Sequence, residues 1–137
     1  WGIDVNLMGT VYFCHEAMRQ MREQRSGSII NFGSITGLEG DICGMDYAIS
    51  KSAIMNGLNK SLAKEGARYG VRVNCVAPGP VLTRPGMASM KTALGRAADP
   101  QEIVDMVLYL ASERSSFVTG ATILMDGGRH LLMEDGV

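Results

Sequence analysis

The chain has 137 residues, of which 46% are hydrophobic and 20% charged, with a formal net charge of −1. That length is one domain or part of one, and the balance is ordinary for a folded globular protein. The near-neutral charge gives no electrostatic footprint for nucleic acid, no basic run marks a membrane surface, and no apolar run approaches the ~18 residues needed to span a bilayer.

Cys14, Cys43 and Cys75 are odd in number and far apart, without C-x-x-C spacing. They read as reduced thiols of a cytoplasmic protein. His15 and His130 lie near no cysteine or carboxylate cluster, so no metal site is expected. The first residue is Trp1 and no signal-peptide pattern follows, which reads as a fragment beginning inside an element.

Residues 3–24 read as a helix. Val5, Met8, Val11, Tyr12, His15, Met18 and Met21 recur at three- and four-residue steps and form its expected inward face. Arg19, Arg22 and Arg25, with Glu23, fill the exposed side near its end, where cations suit the helix dipole. Ser26-Gly27 stops it. Residues 28–33 follow as a strand apolar on both faces, as a central parallel strand should be. A glycine-rich loop leads to a second helix over residues 46–69. There Ala48, Ile49, Ala53, Ile54, Gly57, Leu58, Leu62, Ala63 and Ala67 put small and apolar groups on more than one side. A helix with two apolar faces has two things to cover: one is the sheet, and another subunit could be the other.

Residues 71–76 are the second strand, followed by Ala77-Pro78-Gly79-Pro80. Residues 82–98 hold no clear element, and so long a loop in a compact unit is more often functional than not. Asp99 is the expected N-cap of a third helix, with Pro100 at N1 and Glu102 in the first turn. It runs to about Ser112 with Ile103, Val104, Val107, Leu108, Leu110 and Ala111 inward. Residues 121–125 are the third strand, Asp126-Gly127-Gly128 ends it, and a polar tail closes the chain. The order α-β-α-β-α-β implies an α/β fold with right-handed parallel crossovers.

The chemistry concentrates between Ser34 and Lys51. Ser34 stands at a strand end, where a parallel sheet presents its ligands. Tyr47 and Lys51 are four positions apart and so share a helix face. Free tyrosine, with a pKa near ~10, is a poor base at neutral pH, and an ammonium within a few Å favours its phenolate. A serine hydroxyl can donate to a carbonyl oxygen while tyrosine supplies or removes the proton. Tyr-x-x-x-Lys alone is a weak signal, since any helix can carry it as a solvated pair.

The combination is more specific. Ser34 and Tyr47-x-x-x-Lys51 in a strand–loop–helix setting, Asp4-Val5-Asn6-Leu7, Pro78-Gly79-Pro80-Val81-Leu82-Thr83, Thr119-Gly120 and Asp126-Gly127-Gly128 together resemble the short-chain dehydrogenase/reductase family. The resemblance covers nearly the whole chain and matches the family's C-terminal half. It implies part of a doubly wound parallel-sheet Rossmann-like fold lacking the N-terminal dinucleotide-binding half, with residues 1–137 as one partial catalytic domain. It also implies roles: Ser34 binds the carbonyl, and Tyr47 is the acid/base. Lys51 holds the nicotinamide ribose hydroxyls and lowers the tyrosine's pKa. Asn6 holds a water in the proton relay to the lysine. Pro78 and Gly79 would lie beside the nicotinamide, Val81 would give its backbone to the carboxamide, and Thr83 its hydroxyl to the carboxamide or phosphate. The implied cofactor is NAD or NADP. The implied substrate is a small carbonyl compound or secondary alcohol, and the implied assembly is a homo-oligomer, dimer or tetramer.

Two features depart from the family pattern. Phe32-Gly33-Ser34 replaces the more usual pair of small hydroxyl residues before the serine, and a glycine there can loosen a strand end. The family's front half, with its Gly-rich turn, is absent, and the glycines at 33, 37, 40 and 44 do not replace it. They match neither G-x-G-x-x-G nor a P-loop, and they lead into a loop rather than a helix N-terminus. Three strands of the usual six would leave an open sheet edge. An alternative therefore stands beside the enzyme: a truncated, catalytically inactive domain that serves as an oligomerisation or interaction module.

Overall fold

A computed structural model describes residues 1–133 of the chain. Its strands are β1 (Gly27–Phe32), β2 (Val71–Pro78) and β3 (Thr122–Met125). They form one parallel sheet in the order β1-β2-β3, with Gly27 opposite Val71 and Cys75 opposite Thr122. A π-helical run, Ile3–Met8, leads straight into α1 (Gly9–Gln24). The helix expected over 46–69 is α3 (Met45–Ala53), a π-helical run Ile54–Leu58 and α4 (Asn59–Ala67) in continuous succession. The last helix is α5 (Pro100–Ala111).

Alternation along β2 sorts the core into two layers, because successive strand residues point to opposite faces. Val71 and Val73 meet Cys14 and Met18 of α1 and Leu62 and Ala63 of α4, and Cys75 and Ala77 meet Ile54 and Met55. On the other face Val76 packs with Ile103 and Leu110 of α5. β2 is thus buried on both sides, as the centre of a parallel sheet should be.

Several expectations are corrected. The inward face of α1 is Cys14, Ala17, Met18 and Met21, while Val5 and Tyr12 are exposed, as is His15. Met18 and Met21 turn inward as expected; three- and four-residue steps fit more than one face, and the sheet took the one that also carries Cys14 and Ala17. In α5 the inward residues are Ile103, Met106, Val107 and Leu110; Val104 and Leu108 are exposed, as is Ala111. The glycine-rich loop contains a short helix, α2 (Thr36–Glu39). Gly37 lets it lie against the α3 backbone: a Cβ there would stand 2.8 Å from the Ser52 nitrogen and 2.9 Å from the Lys51 carbonyl carbon. Residues 82–98 contain a 3-10 turn, Pro85–Ser89, and the tail holds another, Arg129–Leu131.

The start of α5 follows its sequence. Asp99 accepts from the Gln101 amide at 2.8 Å, Glu102 accepts from the Asp99 amide at 3.0 Å, and Pro100 fills the first turn. The far end of α5 is anchored by Arg72. One terminal nitrogen donates to Ser115 Oγ at 2.9 Å and the Val118 carbonyl at 3.3 Å; the other donates to the carbonyls of Leu110 and Ser112 at 3.1 and 3.0 Å. The last carbonyls of a helix lack partners within it, and a cation suits that end of the dipole. Arg72→Ala is expected to lower unfolding stability by about 2–4 kcal/mol, since several part-buried carbonyls lose a charged donor together. Urea titration checks the loss and hydrogen exchange locates it at the α5 terminus. A loss below about 0.5 kcal/mol would show that water already serves those carbonyls.

Candidate active site

Ser34 is held by the sheet beyond the end of β1. The Gly33 amide donates to the Val76 carbonyl at 2.8 Å and the Ile35 amide to the Pro78 carbonyl at 3.0 Å. The serine between them stands at the carboxyl ends of the strands, beside Pro78, where open α/β sheets carry their ligands. Ser34 Oγ accepts from the Thr36 amide at 3.1 Å, a local turn contact that also starts α2. That bond uses an oxygen lone pair and leaves the hydroxyl proton available.

Tyr47 and Lys51 share the α3 face, as their spacing predicts. Lys51 Nζ lies 5.6 Å from the centre of the Tyr47 ring and donates to the Phe32 carbonyl at 3.0 Å. The ammonium therefore ties the helix to the end of β1, two residues before Ser34. Tyr47 is 38% exposed, so the phenol reaches solvent. Burial lowers the Lys51 pKa, opposed by the negative charge that Cys75 would carry. Burial also pushes the Cys75 thiol up to about 11, so Cys75 is neutral near pH 7 and supplies no counter-charge. The lysine is a half-buried cation whose protein acceptor among the described residues is one carbonyl.

The remaining candidates sit around this core. Asn6 lies in the π-helical run, a conformation common at functional sites, and its carbonyl accepts from Thr10 Oγ1 at 2.9 Å. Its neighbour Leu7 packs on the cluster of Ile54, Met55 and Cys75. No hydrogen bond joins Asn6 to Ser34, Tyr47 or Lys51 among the described residues, although the Ile3–Met8 run packs against α3. Gly79 abuts β3: a Cβ there would stand 2.8 Å from Asp126 Cα, and its amide bonds the Met125 carbonyl at 3.0 Å. Pro80 O and the Leu82 amide bond Ala98, each at 2.9 Å, so Val81's own backbone groups face the other way. There the Val81 carbonyl takes the Thr83 amide at 2.7 Å and its hydroxyl, weakly, at 3.4 Å. Thr83 is exposed.

Three participants were not legible in the sequence. The Phe32 carbonyl carries no side-chain signal, Cys75 reads only as a reduced thiol within a strand, and Met55 belongs to no motif. His130 pairs with the buried Asp126, Nδ1 to Oδ2 at 2.6 Å, and Asp126 also accepts from the Gly128 and His130 amides. These bonds hold the Asp126 carboxyl low against the opposing effect of burial. They close the turn after β3, and no cluster of three metal-ligating side chains occurs among the described residues. A cavity of about 550 Å³ lies on the α5 side, lined by Thr92, Leu94, Met106, Ile123 and Leu131; Ser34, Tyr47 and Lys51 do not border it.

The chain as a whole is similar to known proteins in sequence and fold. The family model described as enoyl-(acyl carrier protein) reductase matches residues 2–130. Carbonyl reductase family member 4 of Xenopus tropicalis is 40% identical, over 96% of this chain and 57% of its own length. The 3-alpha-(or 20-beta)-hydroxysteroid dehydrogenase of Mycobacterium tuberculosis is 42% identical, over 92% of this chain and 50% of its own. A crystal structure of a 3-oxoacyl-[acyl-carrier protein] reductase from Brucella melitensis with bound NAD superposes with a TM-score of 0.83 at 39% identity, covering 92% of this chain and 49% of that one. The chain spans about half the length of the relatives it matches. With a family model matched from end to end of the sheet and relatives sharing two-fifths of its residues, this chain belongs to the short-chain dehydrogenase/reductase family.

Proposed function

We propose that the chain supplies the catalytic half of an NAD(P)(H)-dependent oxidoreductase acting on a carbonyl compound or secondary alcohol. One observation carries the reading: a single half-buried ammonium, Lys51, bridges the Tyr47 ring and the strand end that leads to Ser34. The donor set fits a nicotinamide ribose. Lys51 has three N–H donors, of which one is spent on Phe32 O, so two remain for a vicinal diol. A dinucleotide of this kind supplies or accepts the hydride. Ser34 donates its hydroxyl proton to the substrate oxygen and orients the carbonyl. Tyr47 gives its phenolic proton to that oxygen in reduction and takes one from the alcohol in oxidation. Lys51 holds the ribose and stabilises the phenolate. Asn6 joins the lysine to solvent through a water. Pro78, Gly79, Val81 and Thr83 border the nicotinamide, with Val81's backbone toward the carboxamide and Thr83's hydroxyl toward the carboxamide or phosphate.

The outward side of α1 and the start of α3 expose Tyr12 (64%), Phe13 (81%) and Ile49 (50%), which favours a homo-oligomer, dimer or tetramer. The same surface favours the alternative, an interaction module without activity. The three free thiols suit a reducing, cytoplasmic setting. No helix of the described residues is long and apolar enough to cross a membrane.

Titration with NADH and NADPH, read by cofactor fluorescence, separates the two readings and identifies the cofactor. The enzyme reading expects saturable binding of one of them by the full-length protein, and turnover of a simple ketone. If this 137-residue chain alone binds neither but activity appears once upstream sequence is present, it is a catalytic half rather than a module. A full-length protein that binds neither sinks the enzyme reading.

A further inference from the structure

Met55 is 9% exposed and lies one helical turn beyond Lys51, in the π-helical run Ile54–Leu58. Its side chain enters the space where two glycines lack a Cβ. At Gly33 a Cβ would collide with Met55 Cγ, stand 2.9 Å from Sδ and 3.2 Å from Cys75 Sγ. At Gly37 a Cβ would stand 2.8 Å from the same Sδ. Gly33 directly precedes Ser34 and Gly37 lies within α2 just after it, so one thioether lies against both sides of the segment that carries the serine. The backbone on each side has little freedom. Gly33 is pinned to Val76 O at 2.8 Å, and the Met55 carbonyl accepts from Thr122 Oγ1 at 2.6 Å. A π-helical turn frees carbonyls from the usual ladder, and Thr122 on β3 engages this one.

We infer that Met55 is a positioning residue: its side chain is the spacer that sets the separation of the Ser34 strand end from the Tyr47–Lys51 helix, and Gly33 and Gly37 make room for it. The inference rests on the function proposed above, since it matters to chemistry only if those three groups act together. It also accounts for the Phe32-Gly33-Ser34 departure, because a hydroxyl residue at 33 would occupy the same space as Met55. Misplacement of reacting groups by about 1 Å can cost on the order of 10²-fold in rate.

The test is a cycle of four full-length proteins: wild type, Gly33→Ala, Met55→Ala and the double variant. Each is read for kcat, KM, cofactor Kd and melting temperature. Gly33→Ala is expected to lower kcat by about tenfold or more, with cofactor Kd within about twofold, because the added methyl drives the serine away from the helix. Adding Met55→Ala removes the collision and is expected to recover at least about threefold of that kcat, a non-additive result that independent sites do not give. Met55→Leu, near in volume, is expected to stay close to wild type. Independent effects of the two changes would overturn the inference. So would melting temperatures that fall while kcat per folded molecule holds. If the wild type turns over no substrate, it is the proposed function that fails. The spacer is then judged on melting temperature alone: Gly33→Ala lowers it and Met55→Ala in that background restores it, and absence of this coupling removes the spacer too.

Discussion

Tyr47→Phe in the full-length protein is expected to lower kcat by on the order of 10³-fold while the affinity for NADH or NADPH changes by less than about twofold. The substitution deletes one oxygen and leaves the ring. The ring contact with the Lys51 ammonium at 5.6 Å, and its support of the lysine, survive in phenylalanine. Tyr47 is 38% exposed and anchors no core cluster, so folding is spared. What disappears is the proton the reduction must deliver to the substrate oxygen, and positioned acid–base groups are worth roughly 10²–10⁴ in rate. Ser34→Ala is the companion: it removes a donor to the same oxygen and should cost on the order of 10²-fold. Stopped-flow hydride transfer separates chemistry from binding. A Tyr47→Phe rate above about a tenth of wild type would assign the proton to another group, and the mechanism would fall with it.

What the sequence conveys and what it hides divide along physical lines. The order of elements was legible because periodicity and punctuation are local: Asp99-Pro100 with Glu102 starts α5, and the β-branched run after Ser26-Gly27 makes β1. The Tyr47–Lys51 proximity was legible because helical pitch fixes it. Which face of α1 turns inward was not. Met18 and Met21 were legible as inward, but Val5, Tyr12 and His15 keep helical spacing with them as well as Cys14 and Ala17 do, and only the sheet's presence decides between the two sets. The short helix α2 was hidden because its stability comes from the close approach that Gly37 allows against α3, a tertiary contact. The lysine's acceptor was hidden for a related reason. Phe32 contributes a backbone oxygen, and no residue type advertises that. The wide turn at Ile54–Leu58 likewise has its partner, Thr122, far along the chain.

Lys51 carries the second large effect, and it separates two roles that the family resemblance assigns together. Lys51→Met is expected to lower kcat/KM by on the order of 10³-fold, to weaken cofactor binding by about tenfold, and to remove the alkaline decline that loss of the lysine's own charge gives the wild type. The binding loss follows from the two N–H donors left over after Phe32 O, which methionine lacks. The direction of the pH effect follows from charge. The ammonium places a positive charge 5.6 Å from the centre of the Tyr47 ring, and methionine removes it. Burial holds the neighbouring Cys75 thiol up to about 11 and neutral, so no thiolate offsets the Lys51 charge near pH 7. Burial also lowers the lysine's own pKa, so in the wild type the stabilising charge is lost at lower pH than for a free lysine, and activity should decline on that alkaline side. The methionine variant has no such charge to lose and should show no decline from this source. Lys51→Arg keeps a permanent charge and should restore part of the cofactor affinity. Its longer side chain and planar fork place the N–H groups differently around Phe32 O and the Tyr47 ring, so the rate should stay low. If Lys51→Met weakens cofactor binding but leaves the pH profile where it was, the lysine is a ribose ligand alone. The proton chemistry of Tyr47 would then need another source of positive potential.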